Sequence, residues 1–271
     1  MRHTATIDKQ IGETPLQALE RYRSITSLSP EVPLAYAGRL DPMATGKLLI
    51  LIGEECKRQQ TYHGLDKRYE IEVLLGVGSD TGDVLGRLEA GPAITLSDAT
   101  LPAVLPDFIG KLSLPYPQFS AKTVQGKPLH QWTLEGRLDE IEIPVAHTTI
   151  YNLRLRSICS VPAITVYRTT RAKIDSFPPV TDERKALGAD FRREEVRADW
   201  EAWRDANLHA EYCIVSLSVT CSSGTYMRSL AQTLGERLGT TGLAFSIHRT
   251  HIGHFRQLPA WFGGGFFFPQ W

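Results

Sequence analysis

No long apolar run occurs in this 271-residue chain: the longest, residues 48–52, is far too short to span a bilayer. The opening Met1-Arg2-His3-Thr4 also lacks the apolar segment of a secretion signal. Both absences argue against a membrane-embedded or exported protein, and the sequence reads as cytoplasmic. The four cysteines, Cys56, Cys159, Cys213 and Cys221, include no CxxC pair and no dense secreted pattern, so reduced structural thiols are expected rather than disulfides or a metal site. No metal-ligand constellation and no cofactor motif appears. Net charge is absent too, with 30 basic and 30 acidic side chains, and no carboxylate side chain follows Glu236.

What is present is unevenly placed. Residues 154–173 hold five basic side chains and no acidic one, whereas residues 174–205 hold nine acidic and six basic. The neutral total therefore partly reflects one acidic segment. Two readings stand side by side: a basic face that meets nucleic acid, or ordinary solvated strand edges. With 42% hydrophobic residues the chain can build a substantial core.

Residues 4–9 read as a strand. Thr14, Pro15 and Gln17 form the N-cap, first-turn proline and capping-box pattern of a helix running to about Tyr22. The apolar run 47–52, bounded by Gly46 and Gly53, predicts a buried strand, followed by a short helix over 54–62. A strand is expected up to Leu75, and Gly78-Ser-Asp80-Thr-Gly-Asp83-Val-Leu-Gly86 reads as a hairpin turn, since it lacks the closing glutamate of a calcium loop. Val196, Trp200 and Trp203 fall at helical spacing, so residues 190–207 predict an amphipathic helix packed on the surface of the domain. Residues 213–221 alternate as a strand, and a helix follows to Leu238.

Between two of these elements lies Gly38-Arg-Leu-Asp41-Pro-Met-Ala-Thr-Gly46, an acidic side chain in a tight apolar turn. Pro42 biases Asp41 away from helix, and the flanking glycines permit sharp turns or close approach. On spacing alone Asp41 reads as the carboxylate that caps this turn. Its surroundings say more. Tyr36-Ala-Gly-Arg-Leu-Asp41-Pro-Met-Ala-Thr-Gly46 resembles the active-site loop of the TruB family of tRNA pseudouridine synthases. Lys67-Arg-Tyr69 and Gly224-Thr-Tyr226-Met-Arg228 resemble that family's second and third signatures, in the same order.

The resemblance implies an α+β pseudouridine synthase fold, with a central mixed, mainly antiparallel sheet flanked by helices and an active-site cleft. It implies that Asp41 is the nucleophile, that Tyr69 stacks on the uracil and can assist proton removal, and that Arg228 pairs with Asp41. Tyr226 and Ile247 would line the base pocket, while Tyr36, Arg39, Lys67, Lys122 and Arg249 would contact RNA. Read without the family, Tyr69 is a strand aromatic and Arg228 an ordinary helix arginine. Departures occur at Gln10, where the family has proline, at Tyr36, where it commonly has histidine, and at Lys122, one place early. The expected organisation is a catalytic domain over residues 1–256 with a helical insertion at 174–208, then a short tail, 257–271, in place of a PUA-type module.

The implied activity is conversion of a uridine to pseudouridine in structured RNA, best matched by uridine 55 of the tRNA T stem-loop, with no cofactor, metal, membrane or obligatory protein partner, by a monomer. Its rivals are the same chemistry on another RNA, a tRNA-folding chaperone with little catalysis, and a carboxylate-dependent hydrolase for which no second acid can be placed.

Overall fold

The computed structural model describes residues 3–92, 94, 100–180, 190–258 and 265–268. Strand β1 (Thr4–Lys9) leads to helix α1 (Pro15–Thr26), whose capping box is complete: the Gln17 amide donates to Thr14 Oγ1 at 3.2 Å and the Thr14 amide to Gln17 Oε1 at 2.7 Å. Strands β2 (Leu34–Ala37) and β3 (Thr45–Ile52) flank the Asp41 turn. The segment Gly53–Tyr62, expected as a short helix, is a 3₁₀ stretch kinked at Arg58. It buries only Glu55 and Tyr62, so it has no apolar stripe to hold a regular helix on the core.

Next come β4 (Asp66–Leu75), β5 (Val77–Ser79), β6 (Leu88–Ala90), the short helix α2 (Thr100–Val104) and β7 (Gly110–Pro115). A small annex, β8 (Thr123–Val124), β9 (Lys127–Pro128) and α3 (Leu129–Leu134), precedes the 18-residue strand β10 (Val145–Pro162) and helix α4 (Ala163–Asp175). The chain then runs through α5 (Arg193–Ala206), β11 (Glu211–Cys221), α6 (Met227–Arg237), β12 (Gly242–Gln257) and β13 (Gly265–Phe268). Helix α5 fits the pattern read from Val196 and Trp200, both buried on its inner side. The proposed insertion 174–208 and tail 257–271 lie partly outside the described residues.

The main sheet is ordered β1-β3-β12-β4-β11-β10-β7, with β2 joined to β3 and β13 to β12. Its pairings are antiparallel except for β3 with β12, where Thr45 and Gly46 lie beside His248 and Arg249. The largest core joins the β4 and β11 side chains Ile71, Val73, Leu217 and Val219 to Leu230 and Leu234 of α6 and Trp200 of α5. Leu40, Met43 and Ala44 belong to the same core, so the Asp41 turn is anchored on the central strands. Among the described residues no helix is long and apolar enough to cross a membrane.

Candidate active site

The turn is built from its backbone outward. Gly38 and Gly46 take left-handed φ of 73° and 100°, and a Cβ on Gly46 would lie 2.2 Å from the Arg249 carbonyl oxygen. The Ala44 amide donates to the Asp41 carbonyl at 3.0 Å, so backbone closes the turn and the carboxylate is available for another partner.

Two buried cations hold the turn from beneath. Lys9, only 1% exposed, donates to the carbonyls of Pro42 at 3.1 Å, Ala44 at 2.7 Å and Gln10 at 2.9 Å. Burial pushes its ammonium down to about 8, against the opposing pull of Glu13 and Asp41. Arg249, also fully buried, donates from Nε to Lys47 O at 2.6 Å and from Nη2 to Gly38 O at 2.9 Å.

Asp41 faces α6. Arg228 Nε donates to Asp41 Oδ2 at 2.9 Å and Nη2 to Oδ1 at 3.3 Å, a two-point grip that orients the carboxylate. The remaining donors reach Thr81 O at 2.8 Å and Phe119 O at 3.4 Å. A second carboxylate, Asp83, is buried 3.8 Å from Arg228 Nε and is held by Thr81 Oγ1 at 2.7 Å and the Leu85 amide at 2.9 Å. Burial pushes Asp83 up, opposed by Arg228, and the charges of Asp41 and Asp83 keep Arg228 cationic despite its own burial. Asp41 is the accessible member of this trio: its side chain is 32% exposed, against 6% for each of the other two.

Aromatic rings stand beside the carboxylate. Tyr69 is buried on β4, and its phenol is pushed up first by burial, with the Asp41 charge adding to the shift. Tyr226 is half-buried at the N-terminus of α6, its phenol likewise raised by burial, then by Tyr116 and Asp41. Its ring centroid lies 5.2 Å from that of Tyr116, and Lys122 Nζ lies 5.0 Å over the other ring of that pair, Tyr116. Arg39 is exposed next to Asp41 and its charge reaches Tyr226.

The other residues read as substrate contacts are placed as follows. Arg249 is enclosed and bonded to the carbonyls described above. Lys67 is buried, donates to the Leu65 carbonyl and is pushed down to about 8 by burial. Ile247 is buried opposite Ile71 in the β12–β4 ladder. Tyr36 packs with Leu19, Ile50 and Ile52 near α1. Lys9 and Asp83 were not singled out from sequence as site residues. Each does carry a sequence signal, a resemblance without an implied role: Lys9, Gly12 and Thr14 partly match the family's opening signature, and Thr81-Gly-Asp83-Val-Leu-Gly86 resembles one of its turns.

Two solved structures resemble this chain over 92% of its length: a Cbf5-Nop10-Gar1 complex (TM-score 0.54, 15% identity, 48% of that chain covered) and an H/ACA RNP bound to a substrate RNA containing 2'-deoxyuridine (TM-score 0.50, 14% identity, 46% covered). The fold is therefore that of the pseudouridine synthases. A family model described as TruB family pseudouridylate synthase (N terminal domain) matches residues 30–173, more than half of the chain. The chain belongs to the TruB family. A tRNA pseudouridine synthase B from Tolumonas auensis is 30% identical over 246 residues, 91% of this chain, and one from Caldicellulosiruptor saccharolyticus is 25% identical over 249 residues, 92% of it. The chain spans 58% and 67% of the length of those two proteins.

Proposed function

We propose that this protein isomerises a uridine of tRNA to pseudouridine, with Asp41 as the reacting carboxylate. The observation that carries the reading is the Asp41–Arg228 pair: an accessible carboxylate, gripped at two points by a buried arginine, on a turn of the family's active-site type. The tRNA substrate follows from the relatives, which are tRNA pseudouridine synthases B, and uridine 55 of the T loop is the position we assign.

The reaction needs a base removed from its stack, because C1′ and C5 are otherwise out of reach. Arg228 fixes the direction of the Asp41 carboxylate through its two-point grip. Asp41 acts on the flipped nucleoside so that the N1–C1′ bond breaks. The uracil turns, a C5–C1′ bond forms, N1 gains a proton and C5 loses its own. Tyr226 confines the ring from the α6 side. Tyr69 supplies a stacking face: a phenol kept protonated by burial is a poor base near neutral pH, so we assign the C5 proton to another acceptor.

Loss of the C5 hydrogen supplies the assay. Wild-type protein is expected to release tritium from tRNA transcript labelled with [5-³H]uridine, with the product mapped to the T loop, whereas Asp41→Asn releases none and still binds the transcript. Turnover by Asp41→Asn at the wild-type rate would refute the assignment.

A further inference from the structure

The segment that leads from α4 into α5 delivers one side chain to the site. Arg192 Nη1 donates to Asp80 Oδ2 at 2.6 Å and Nη2 to Asp80 Oδ1 at 3.3 Å, while its guanidinium carbon lies 4.5 Å above the Phe119 ring. Asp80 immediately precedes Thr81. Thr81 and Phe119 are the two residues whose carbonyls accept from Arg228. Arg192 thus joins from outside the same two walls that Arg228 joins from inside.

The connection is anchored behind as well. Asp199 of α5 accepts from Arg87 Nε at 2.6 Å and from the Leu88 amide at 3.1 Å, and Trp200 Nε1 donates to Val84 O at 3.1 Å. Residues 80–88, which carry Asp83, are therefore held by α5 at several points. Asp190, Phe191 and Arg192 all adopt left-handed φ, of 49°, 58° and 60°, which non-glycine residues keep only when surrounding contacts enforce it.

We infer that Arg192 is a positioning residue: it fixes the Asp80–Asp83 turn and the Phe119 loop relative to each other, and through them the direction of Arg228 toward Asp41. The inference rests on the proposed function for its kinetic consequence alone. A planar fork suits both tasks, forking a carboxylate while lying flat on a ring, and a lysine cannot do both. Arg192 touches no reacting atom, so its removal should lower turnover without greatly weakening tRNA binding.

The test compares Arg192→Ala, Arg192→Lys, Asp80→Ala and the Arg192→Ala/Asp80→Ala double variant by tritium release, with hydrogen exchange measured on the same proteins. For Arg192→Ala we expect kcat to fall roughly tenfold, since small misplacements of reacting groups have large rate effects, with KM within about twofold. Arg192→Lys should stay nearer to Arg192→Ala than to wild type, and the double variant should lose no more than the larger single loss. Amides of residues 79–88 and 117–122 should exchange faster while those of β4 and β11 do not change. A wild-type kcat, a loss confined to KM, additive losses or unchanged exchange would each overturn the inference. If wild-type protein released no tritium from any tRNA, the functional reading would fail, and the exchange comparison would still decide the brace.

Discussion

Replacing Arg228 with lysine tests whether Asp41 needs a cation or a fork. Arginine makes four contacts here, two to Asp41 and one each to the carbonyls of Thr81 and Phe119. Lysine keeps the charge that faces buried Asp83 but presents its donors from a single nitrogen, so it cannot grip both Asp41 oxygens and also reach both walls. At least one enclosed carbonyl loses its partner, which costs about 1–3 kcal/mol. Asp41 loses its second contact and can swing. A displacement on the order of 1 Å at a reacting group lowers the rate roughly a hundredfold. Arg228→Lys should therefore lower kcat for tritium release by about that factor while urea unfolding shows a loss of about 2 kcal/mol. Arg228→Met, which leaves Asp83 buried without a cation, should lose about 3–5 kcal/mol. Turnover by Arg228→Lys within about threefold of wild type would refute the argument from geometry and leave charge as the only requirement.

Asp83→Asn removes the second carboxylate while leaving an oxygen for the Leu85 amide; kcat should fall about tenfold with stability within about 1 kcal/mol, and an unchanged rate would remove Asp83 from the site. Lys9→Met deprives three carbonyls of a donor but also relieves a buried charge, so urea unfolding should show a net loss of about 2 kcal/mol, and an unshifted midpoint would show that the turn does not depend on Lys9. Lys9 and Lys67 titrate near 8 when folded and near 10.5 otherwise, so above pH 8 the unfolded chain holds more protons and stability rises with pH. At pH 8 each is half deprotonated in the folded state, giving a slope of about 1.4 kcal/mol per pH unit for the pair. Cys221, raised by burial to about 12, opposes the trend once the unfolded thiol ionises near pH 9, but a single thiol offsets only part of the contribution of the two lysines there. Urea unfolding at pH 7, 8 and 9 measures this, and a steady decline over that range would contradict it.

Local signals in the sequence carried over into local structure. Thr14 and Gln17 form a capping box by contacts three residues apart, and Val196 with Trp200 marks the buried side of α5 by helical spacing alone. β10 was harder to see. Only one side of it, at Ala146, Thr148, Ile150 and Leu153, is buried, and from Arg154 onward its residues are exposed or half-exposed, so the alternating apolar pattern that announces a strand fades halfway along. The same weakness hid α4, whose basic residues read as part of one charged stretch.

The site divides along the same line. The family motifs imply roles at the site for Asp41, Tyr69, Tyr226 and Arg228, whereas the segments of Lys9, Asp83 and Arg249, though they too resemble the family, imply none of the contacts these residues make. Lys9, Asp83 and Arg249 act through partners that no spacing rule indicates: Lys9 reaches a carbonyl 35 residues away and Arg249 one 211 residues away. A buried charge must find compensation wherever the fold brings an acceptor within reach, so its role follows from tertiary structure. Arg249 illustrates the difference, because a basic residue in an RNA-modifying family suggests phosphate contact until its burial is known. Enclosed beneath the turn, its guanidinium instead satisfies the carbonyls of Gly38 and Lys47 on either side of Asp41. The same cation that could have met RNA thus determines where the carboxylate stands, and a neutral overall charge is compatible with a site floored by buried lysine and arginine.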